Sequence, residues 1–143
     1  MNHPKIEIAT DSESIAECFT AFKELLPHLS DVATFQKTII KLIHEGYTIA
    51  YIKEEEVVAC IGYRLFEMLE WRKVLYIEDL ITKASSRGKG YGSALLSHAI
   101  DEAKRKGCDE VHLDTGYERY DAHRAYLKHG FQLNCHHLSL KLT

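Results

Sequence analysis

The strongest local signal in the chain is the stretch Arg87-Gly88-Lys89-Gly90-Tyr91-Gly92-Ser93. It lies between an apolar run that ends at Thr82 and a segment from Gly90 to Lys106 whose apolar residues recur at helical spacing. The first turn of a helix has backbone N–H groups without partners inside the helix, and its dipole favours negative charge. Glycine lets the backbone approach an anion closely. The stretch therefore predicts a pyrophosphate cradle, with Arg87 and Lys89 adding positive charge.

Two other interpretations of this loop stay open. The dinucleotide-binding fingerprint G-x-G-x-x-G fits Gly88 and Gly90, but Ser93 stands at its third glycine. That fingerprint also belongs in a parallel βαβ unit, whereas an antiparallel meander is expected before this loop. The second alternative is a glycine-rich turn whose basic residues are simply solvated. The loop favours the pyrophosphate cradle over both.

The pattern along the rest of the chain predicts a mixed α/β fold. Expected strands are at 6–8, 47–53, 57–66, 74–82, 111–113 and 138–142, and expected helices at about 11–26, 32–45, 90–106 and 120–129. Short turns join the second, third and fourth strands, which is typical of an antiparallel meander. The predicted order is β-α-α-β-β-β-α-β-α-β, a mostly antiparallel central sheet flanked by about four helices. One domain over residues 1–143 is expected.

Composition excludes several classes of protein. The chain has 143 residues, 45% of them hydrophobic and 27% charged, with a net charge of −3 that argues against a nucleic-acid binder with a broad basic face. No apolar run has the length of a membrane span, and no signal peptide is visible, so no membrane partner is expected. The four widely spaced cysteines predict reduced thiols in the cytoplasm. No second pair of ligands accompanies Cys135-His136-His137, so no metal is expected.

Two linked segments resemble the GNAT family of N-acetyltransferases. The family carries [Q/R]-x-x-G-x-[G/A] between its fourth strand and third helix, and residues 87–92 match this pattern in full. The segment Ala122–Phe131 is similar to the family's A-x-x-x-Y-x-x-x-G-F block, with Tyr126 at the tyrosine. Many members have an asparagine seven residues before that tyrosine, where this chain has Arg119. The resemblance implies the GNAT fold over nearly the whole chain and acetyl transfer from acetyl-CoA to an amine.

The resemblance also implies where acetyl-CoA binds as a co-substrate. The backbone around Leu80, Ile81 and Thr82 would pair with the pantetheine arm like an added strand, because that arm is rich in amides. Backbone N–H groups of all seven loop residues, Arg87 to Ser93, would hold the pyrophosphate.

Direct attack of an amine on the thioester in a ternary complex poses two proton problems. A lysine-like amine has a pKa of about 10.4 and is almost fully protonated at pH 7, so it needs a base. Glu78 is the best candidate and Asp79 the second, because both lie on the strand implied to hold the cofactor. In an ideal strand these two carboxylates face opposite sides, and a bulge would reverse that assignment locally. Pairing with a nearby Arg or Lys is the equal alternative for Glu78.

The leaving thiolate needs a proton, and Tyr126 resembles the family's tyrosine near the cofactor sulfur. Its alternative role is an aromatic wedge that packs the last helix on the sheet. Together these residues predict an acetyl-CoA-dependent N-acetyltransferase acting on a primary amine. A CoA-binding regulatory module without turnover and a dinucleotide-binding oxidoreductase are the competing classes. The acceptor stays open between small-molecule and peptide amines, and it is expected near the first two helices and the hairpins. A homodimer contact, a sheet-edge cap or an acceptor wall are the roles open to Met68, Leu69 and Trp71 at a hairpin tip.

Overall fold

The computed structural model describes residues 3–143, and five strands and five α-helices lie within that range. The strands are β1 (Glu7–Ile8), β2 (Tyr47–Lys53), β3 (Val57–Met68), β4 (Arg72–Thr82) and β5 (Glu110–Leu113). The helices are α1 (Ser12–Glu17), α2 (Phe19–Leu25), α3 (Val32–His44), α4 (Tyr91–Arg105) and α5 (Tyr120–Lys128). The strands form one sheet in the order β1-β2-β3-β4-β5, antiparallel except for the parallel pair β4–β5. The predicted mixed α/β fold is confirmed.

The chain folds into two compact units, which divide between Leu113 and Asp114. In the first unit, α1–α3 share an apolar cluster with one set of strand residues, which includes Ile49 and Cys60. Ala50 and Ile61 are also fully buried, and strand neighbours point to opposite faces of a sheet, so the sheet is covered on both faces. Helix α4 contacts β2 through β5 and supplies the second cover. Burial on both faces explains why β2 and β3 are almost continuously apolar.

The first predicted helix is in fact two helices, α1 and α2, which meet at Cys18. Helix α1 begins at an Asp11 cap, whose carboxylate accepts a hydrogen bond from the Ser14 N–H at 2.7 Å. Helix α3 begins in the same way at Asp31, which accepts from the Thr34 N–H at 2.8 Å. Five helices therefore replace the four expected, because a one-residue break at Cys18 is not visible in apolar periodicity.

The predicted closing strand at 138–142 is wrong. Residues 131–143 form neither helix nor strand, and Leu138, Leu140 and Leu142 are at least 84% exposed. Alternating leucines suit a half-buried strand, but a strand also needs a neighbour with which its N–H and C=O groups can pair. Alternation alone carries no information about that neighbour.

Two further findings concern the chain as a whole. No helix in the described range is long and apolar enough to cross a membrane. All four cysteines are free thiols, with Cys18 and Cys60 buried.

Candidate active site

A bulge in β4 brings two carboxylates to the same face of the sheet. Tyr63 on β3 lies opposite Ile77 and Gly62 lies opposite Asp79, so Glu78 is an extra residue in β4. A bulge interrupts the alternation of side chains along a strand. Glu78 accordingly accepts a hydrogen bond from Arg64 on β3, and Asp79 accepts one from Tyr47 on β2. Arg64 and Tyr47 are a cross-strand pair and therefore lie on one face of the sheet. The bulge that the sequence analysis left open is therefore present.

Asp79 is held by a buried tyrosine. The Tyr47 hydroxyl donates a hydrogen bond to the Asp79 carboxylate at 2.6 Å. Burial raises the pKa of Asp79, the Tyr47 hydrogen bond opposes that rise, and the negative charge of Glu78 adds to it. Burial, followed by the charge of Asp79, raises the pKa of Tyr47 well above its ordinary value. Tyr47 therefore stays a hydrogen-bond donor at neutral pH, and Asp79 is a better proton acceptor than a solvated aspartate.

Gly62 makes room for this tyrosine. A Cβ atom built at Gly62 would lie 1.8 Å from the Tyr47 hydroxyl oxygen and 2.5 Å from the ring carbon that bears it. The Tyr47 ring thus crosses β3 at a position where any side chain would displace it. An isolated glycine inside a strand often marks such a close approach.

Glu78 is engaged differently from Asp79. Its carboxylate accepts from the Arg64 guanidinium, with the Nε–Oε2 distance at 2.6 Å, and 34% of its side chain is exposed. Arg64 also lies over the Tyr47 ring, 5.8 Å from the ring centroid. The pairing with an arginine that the sequence analysis gave as the alternative for Glu78 is therefore observed.

The glycine loop opens α4 with two residues in the left-handed region. Gly88 has φ +84° and Gly90 has φ +82°, and a Cβ at either would meet nothing within 4 Å. Gly90 directly precedes α4, and no side chain caps the helix there. Lys89 is exposed, and the Arg87 guanidinium donates to the Thr82 carbonyl at 3.3 Å. Open space before an uncapped helix N-terminus fits a bound pyrophosphate group.

The next two loop residues anchor this loop. Tyr91 is buried, and its hydroxyl donates a hydrogen bond to the Glu54 carboxylate. A Cβ at Gly92 would lie 3.6 Å from the Thr82 hydroxyl, so the helix start packs closely on the end of β4. Since β4 and β5 are parallel and α4 connects them, the loop lies in a βαβ unit. The expected topological objection to a dinucleotide fingerprint is therefore wrong, although Ser93 still replaces the third glycine.

One edge of β4 is open beside the loop. Strand β5 pairs only with residues 74–77 of β4, whereas β3 pairs with the other edge as far as Thr82. Among the described residues, no strand covers the β5-side edge of Leu80, Ile81 and Thr82. Backbone N–H and C=O groups at such an edge can accept an extended amide-containing ligand as an added strand. The Thr82 carbonyl already accepts from the Arg87 guanidinium and would have to exchange that partner for the ligand.

Tyr126 belongs to the second unit, on α5. It is half-buried and packs edge-on against Phe131, with 6.0 Å between the ring centroids. Burial raises the pKa of Tyr126, and Arg119 opposes the rise. The hydroxyl is therefore protonated at neutral pH. The aromatic contact with Phe131 lies within the second unit, so the alternative role of Tyr126, packing the last helix on the sheet, stays a prediction. Arg119 immediately precedes α5 and does not cap it through its side chain.

Sequence reasoning missed Tyr47, Gly62 and Arg64. Tyr47 is 32 residues away from Asp79, so no local motif links them. The one available signal was the glycine inside the apolar run of β3, which could have indicated a ring crossing the strand. Within residues 3–143, no group of three or more His, Cys, Asp or Glu side chains is arranged to hold a metal ion.

Comparison with known proteins identifies the family to which this chain belongs. The sequence matches the Acetyltransferase (GNAT) family over residues 12–131. The chain belongs to the GNAT family. It is 33% identical over 127 residues to a Bacillus subtilis (strain 168) protein named uncharacterized N-acetyltransferase YhdJ, covering 87% of this chain and 89% of the relative. The predicted family, fold and acyltransferase class are confirmed.

Two further GNAT similarities bear on ligands. The chain is 33% identical over 82 residues to the aminoalkylphosphonate N-acetyltransferase of Salmonella typhimurium (strain LT2), an alignment covering 57% of this chain and 53% of that protein. A Clostridium acetobutylicum protein described as a predicted acetyltransferase, solved with acetyl-CoA, has the same fold with a TM-score of 0.75 at 19% identity. That superposition covers 96% of this chain and 97% of the other.

Proposed function

We propose that this GNAT protein uses acetyl-CoA to acetylate a primary amine by direct attack in a ternary complex. The observation that carries the proposal is that three features follow one another along β4 and into α4. A carboxylate pair at the bulge is followed by an open strand edge, and that edge is followed by an uncapped, glycine-lined helix N-terminus. These three features are a base, a strand edge that can bind amides and a cradle for an anion. An enzyme that transfers an acyl group from acyl-CoA requires all three.

Acetyl-CoA supplies the thioester carbonyl when bound. The open edge of Leu80, Ile81 and Thr82 would bind its amide-rich arm through backbone N–H and C=O groups. The backbone N–H groups from Arg87 through Gly88, Lys89, Gly90, Tyr91 and Gly92 to Ser93 would bind its pyrophosphate. The open space in front of Gly88 and Gly90 supports this assignment.

We assign the base to Asp79 and keep Glu78 as the second candidate, which reverses the order favoured by the sequence alone. Glu78 is already paired with the Arg64 guanidinium, whereas Asp79 accepts from a neutral phenol. A carboxylate with a raised pKa is better matched to proton transfer near neutral pH. An ammonium acceptor would lose one proton to Asp79. The neutral nitrogen then attacks the thioester carbon, the C–N bond forms and the C–S bond breaks. The nitrogen's second proton leaves through solvent, which returns a proton to Tyr126 after that residue has protonated the thiolate.

Tyr126 is the proposed acid that donates its hydroxyl proton to the leaving thiolate. Its protonated state at neutral pH supports the role. The family match runs from residue 12 to residue 131 and so includes parts of both compact units. This supports the proposal that residues 1–143 act as a single N-acetyltransferase domain.

The remaining assignments concern partners and location. We propose a small-molecule or peptide amine as acceptor; one relative is named for aminoalkylphosphonates, a class that the acceptor panel therefore includes. Free cysteines support a cytoplasmic location, since reducing compartments keep thiols reduced. A homodimer stays a prediction. Trp71 of the hairpin tip stacks on His112, with 3.6 Å between the ring centroids. Leu69 of the same tip is exposed and could contribute to a dimer contact.

The test is a calorimetric titration with acetyl-CoA, with NAD as the competing ligand, followed by thiol-release assays over a broad amine panel. We expect acetyl-CoA to bind, NAD not to bind, and at least one amine to be acetylated. Binding without any turnover would indicate the regulatory module, and preference for NAD would indicate the dinucleotide-binding class.

A further inference from the structure

A pocket of about 150 Å³ lies between α2, α3 and the sheet face that carries Asp79. The first unit contains all of its walls. Most of the lining is apolar and comes from the two helices and the turn between them: Phe22, Leu26, Leu29, Phe35, Ile39 and Leu42. The sequence predicts an acceptor near these helices, but its residue pattern alone does not indicate a pocket there.

The polar side chains that line the pocket, among the described residues, are all acidic or neutral. Asp79 and Tyr47 line one part, and Asp31 lines another together with Ser30 and Thr34. Asp31 is the cap of α3 and accepts hydrogen bonds from the Thr34 N–H at 2.8 Å and from the Ser30 hydroxyl at 3.1 Å. Among the described residues, no Lys, Arg or His lines the pocket.

Asp79 has the capacity to bind a further donor. A carboxylate offers several acceptor positions, and the Tyr47 hydroxyl occupies one of them. A partly buried carboxylate without a cationic partner favours a ligand that brings a positive charge. Asp79 is also adjacent in β4 to Leu80, where the open edge begins.

We propose that this pocket selects the acceptor: a small primary amine with one compact apolar group and no anionic group. This inference rests on the proposed function. The ammonium group donates to Asp79, and the apolar group packs against Phe22, Phe35 and their aliphatic neighbours. A cavity of roughly 150 Å³ in a protein accommodates a group about the size of benzene.

The same lining disfavours two other acceptor classes. An aminoalkylphosphonate would bring its anionic group to a pocket with two carboxylates and no cation among the described lining residues. A polyamine would place its second ammonium group either against phenylalanine and leucine side chains without a partner or at Asp31. The Asp31 carboxylate already accepts from the Thr34 N–H, the Thr34 hydroxyl and the Ser30 hydroxyl, so it has little remaining capacity for that group. Specificity therefore comes as much from the absence of basic side chains in the described lining as from its apolar surface.

The experiment compares kcat/KM for four acceptors at saturating acetyl-CoA: 2-phenylethylamine, ethylamine, 2-aminoethylphosphonate and spermidine. We expect 2-phenylethylamine to exceed ethylamine by roughly tenfold or more, since each buried methylene group changes specificity by a factor of that order. The phosphonate and spermidine should be the poorest substrates. A preference for either of them, with acetyl-CoA still bound and turned over, overturns the inference and leaves the proposed function intact.

A matched pair of variants on α3 tests the location. Thr38 lines the pocket from an exposed helix position, and Lys37 is its exposed neighbour outside the lining. Thr38→Phe should lower kcat/KM for 2-phenylethylamine by roughly tenfold or more, whereas Lys37→Phe should leave it unchanged. Melting curves and acetyl-CoA affinity of both variants should match the parent protein. Equal activity of the two variants overturns the pocket assignment. If the parent protein does not bind acetyl-CoA, both the proposed function and this inference are overturned.

Discussion

The glycine loop and the Tyr47–Asp79 cluster are the two halves of the proposed site in the first unit, and they are built in opposite ways. The loop is seven consecutive residues, and its chemistry belongs to the backbone. In the cluster, Tyr47 on β2 donates a hydrogen bond to Asp79 on β4, and its ring crosses β3 at Gly62, where only a glycine leaves room for it. The loop is therefore set by local conformation and the cluster by strand register. Variants that separate backbone effects from side-chain effects test this difference.

The largest effect is expected at the cluster. Asp79→Asn keeps the shape and removes the base, so it should lower turnover at neutral pH by roughly a thousandfold. The parent enzyme should lose activity as pH falls, because protonated Asp79 cannot accept a proton from the ammonium. Burial raises the pKa of Asp79, so this acidic limb should lie above the range of a solvated aspartate.

Glu78→Gln is the matched comparison, measured as a kcat/KM profile from about pH 4 to 10 with one acceptor. We expect a change of only a few-fold and an acidic limb like that of the parent. If Glu78→Gln abolishes the acidic limb and Asp79→Asn keeps it, the base is Glu78 and the Tyr47–Asp79 hydrogen bond is structural.

The second unit supplies the next largest effect. Tyr126→Phe keeps the ring that packs on Phe131 and removes the proposed acid, so turnover should fall by roughly a hundredfold. Acetyl-CoA affinity and the melting temperature should change little. Tyr120→Phe is the control, because Tyr120 is an exposed tyrosine on the same helix. Equal turnover in the two variants would make Tyr126 a packing residue.

A smaller effect is expected at the loop, and there it should appear in binding rather than in turnover. Gly90→Val adds a branched side chain in the space before α4 and strains a residue with φ +82°. Acetyl-CoA affinity, measured calorimetrically, should fall by roughly tenfold or more because the pyrophosphate can no longer approach the helix N-terminus.

Gly107 provides a matched control for backbone strain. It follows the other end of α4, has φ +73°, and a Cβ there would also meet nothing within 4 Å. Gly107→Val should therefore cost similar stability and leave acetyl-CoA affinity unchanged. If both variants lose affinity equally, strain in α4 rather than blocked access explains the loss.

The same local-versus-register difference explains what could be predicted from sequence. Strand β2 has the predicted bounds, 47–53, and the glycine loop does open a helix, because apolar periodicity and glycine conformations are properties of neighbouring residues. The closing strand was wrong because pairing requires a partner that alternation does not specify. Tyr47 was not identified because its contact with Asp79 depends on three strands in register and on one bulge residue.

The smallest expected effect is a stability change with a defined sign. The pKa of Asp79 is raised in the folded protein above its ordinary value of 3.8, so the native state binds more protons than the unfolded chain between those two values. This contribution to stability is fully present below the unfolded pKa and is lost as pH rises through the folded pKa. At pH 7 the native protein therefore carries a carboxylate that burial destabilises.

Asparagine cannot ionise, and its side-chain carbonyl can still accept from the Tyr47 hydroxyl. Asp79→Asn should accordingly melt a few degrees higher than the parent at pH 7, and the difference should shrink toward pH 4. Glu78→Gln removes only a partly exposed ion pair and should change stability by less than about 1 kcal/mol. Thermal melts of the three proteins at both pH values give the comparison. A lower melting temperature for Asp79→Asn at pH 7 would mean that the charged hydrogen bond from Tyr47 outweighs the cost of burying the carboxylate, and the cluster would then be built for stability rather than for proton transfer.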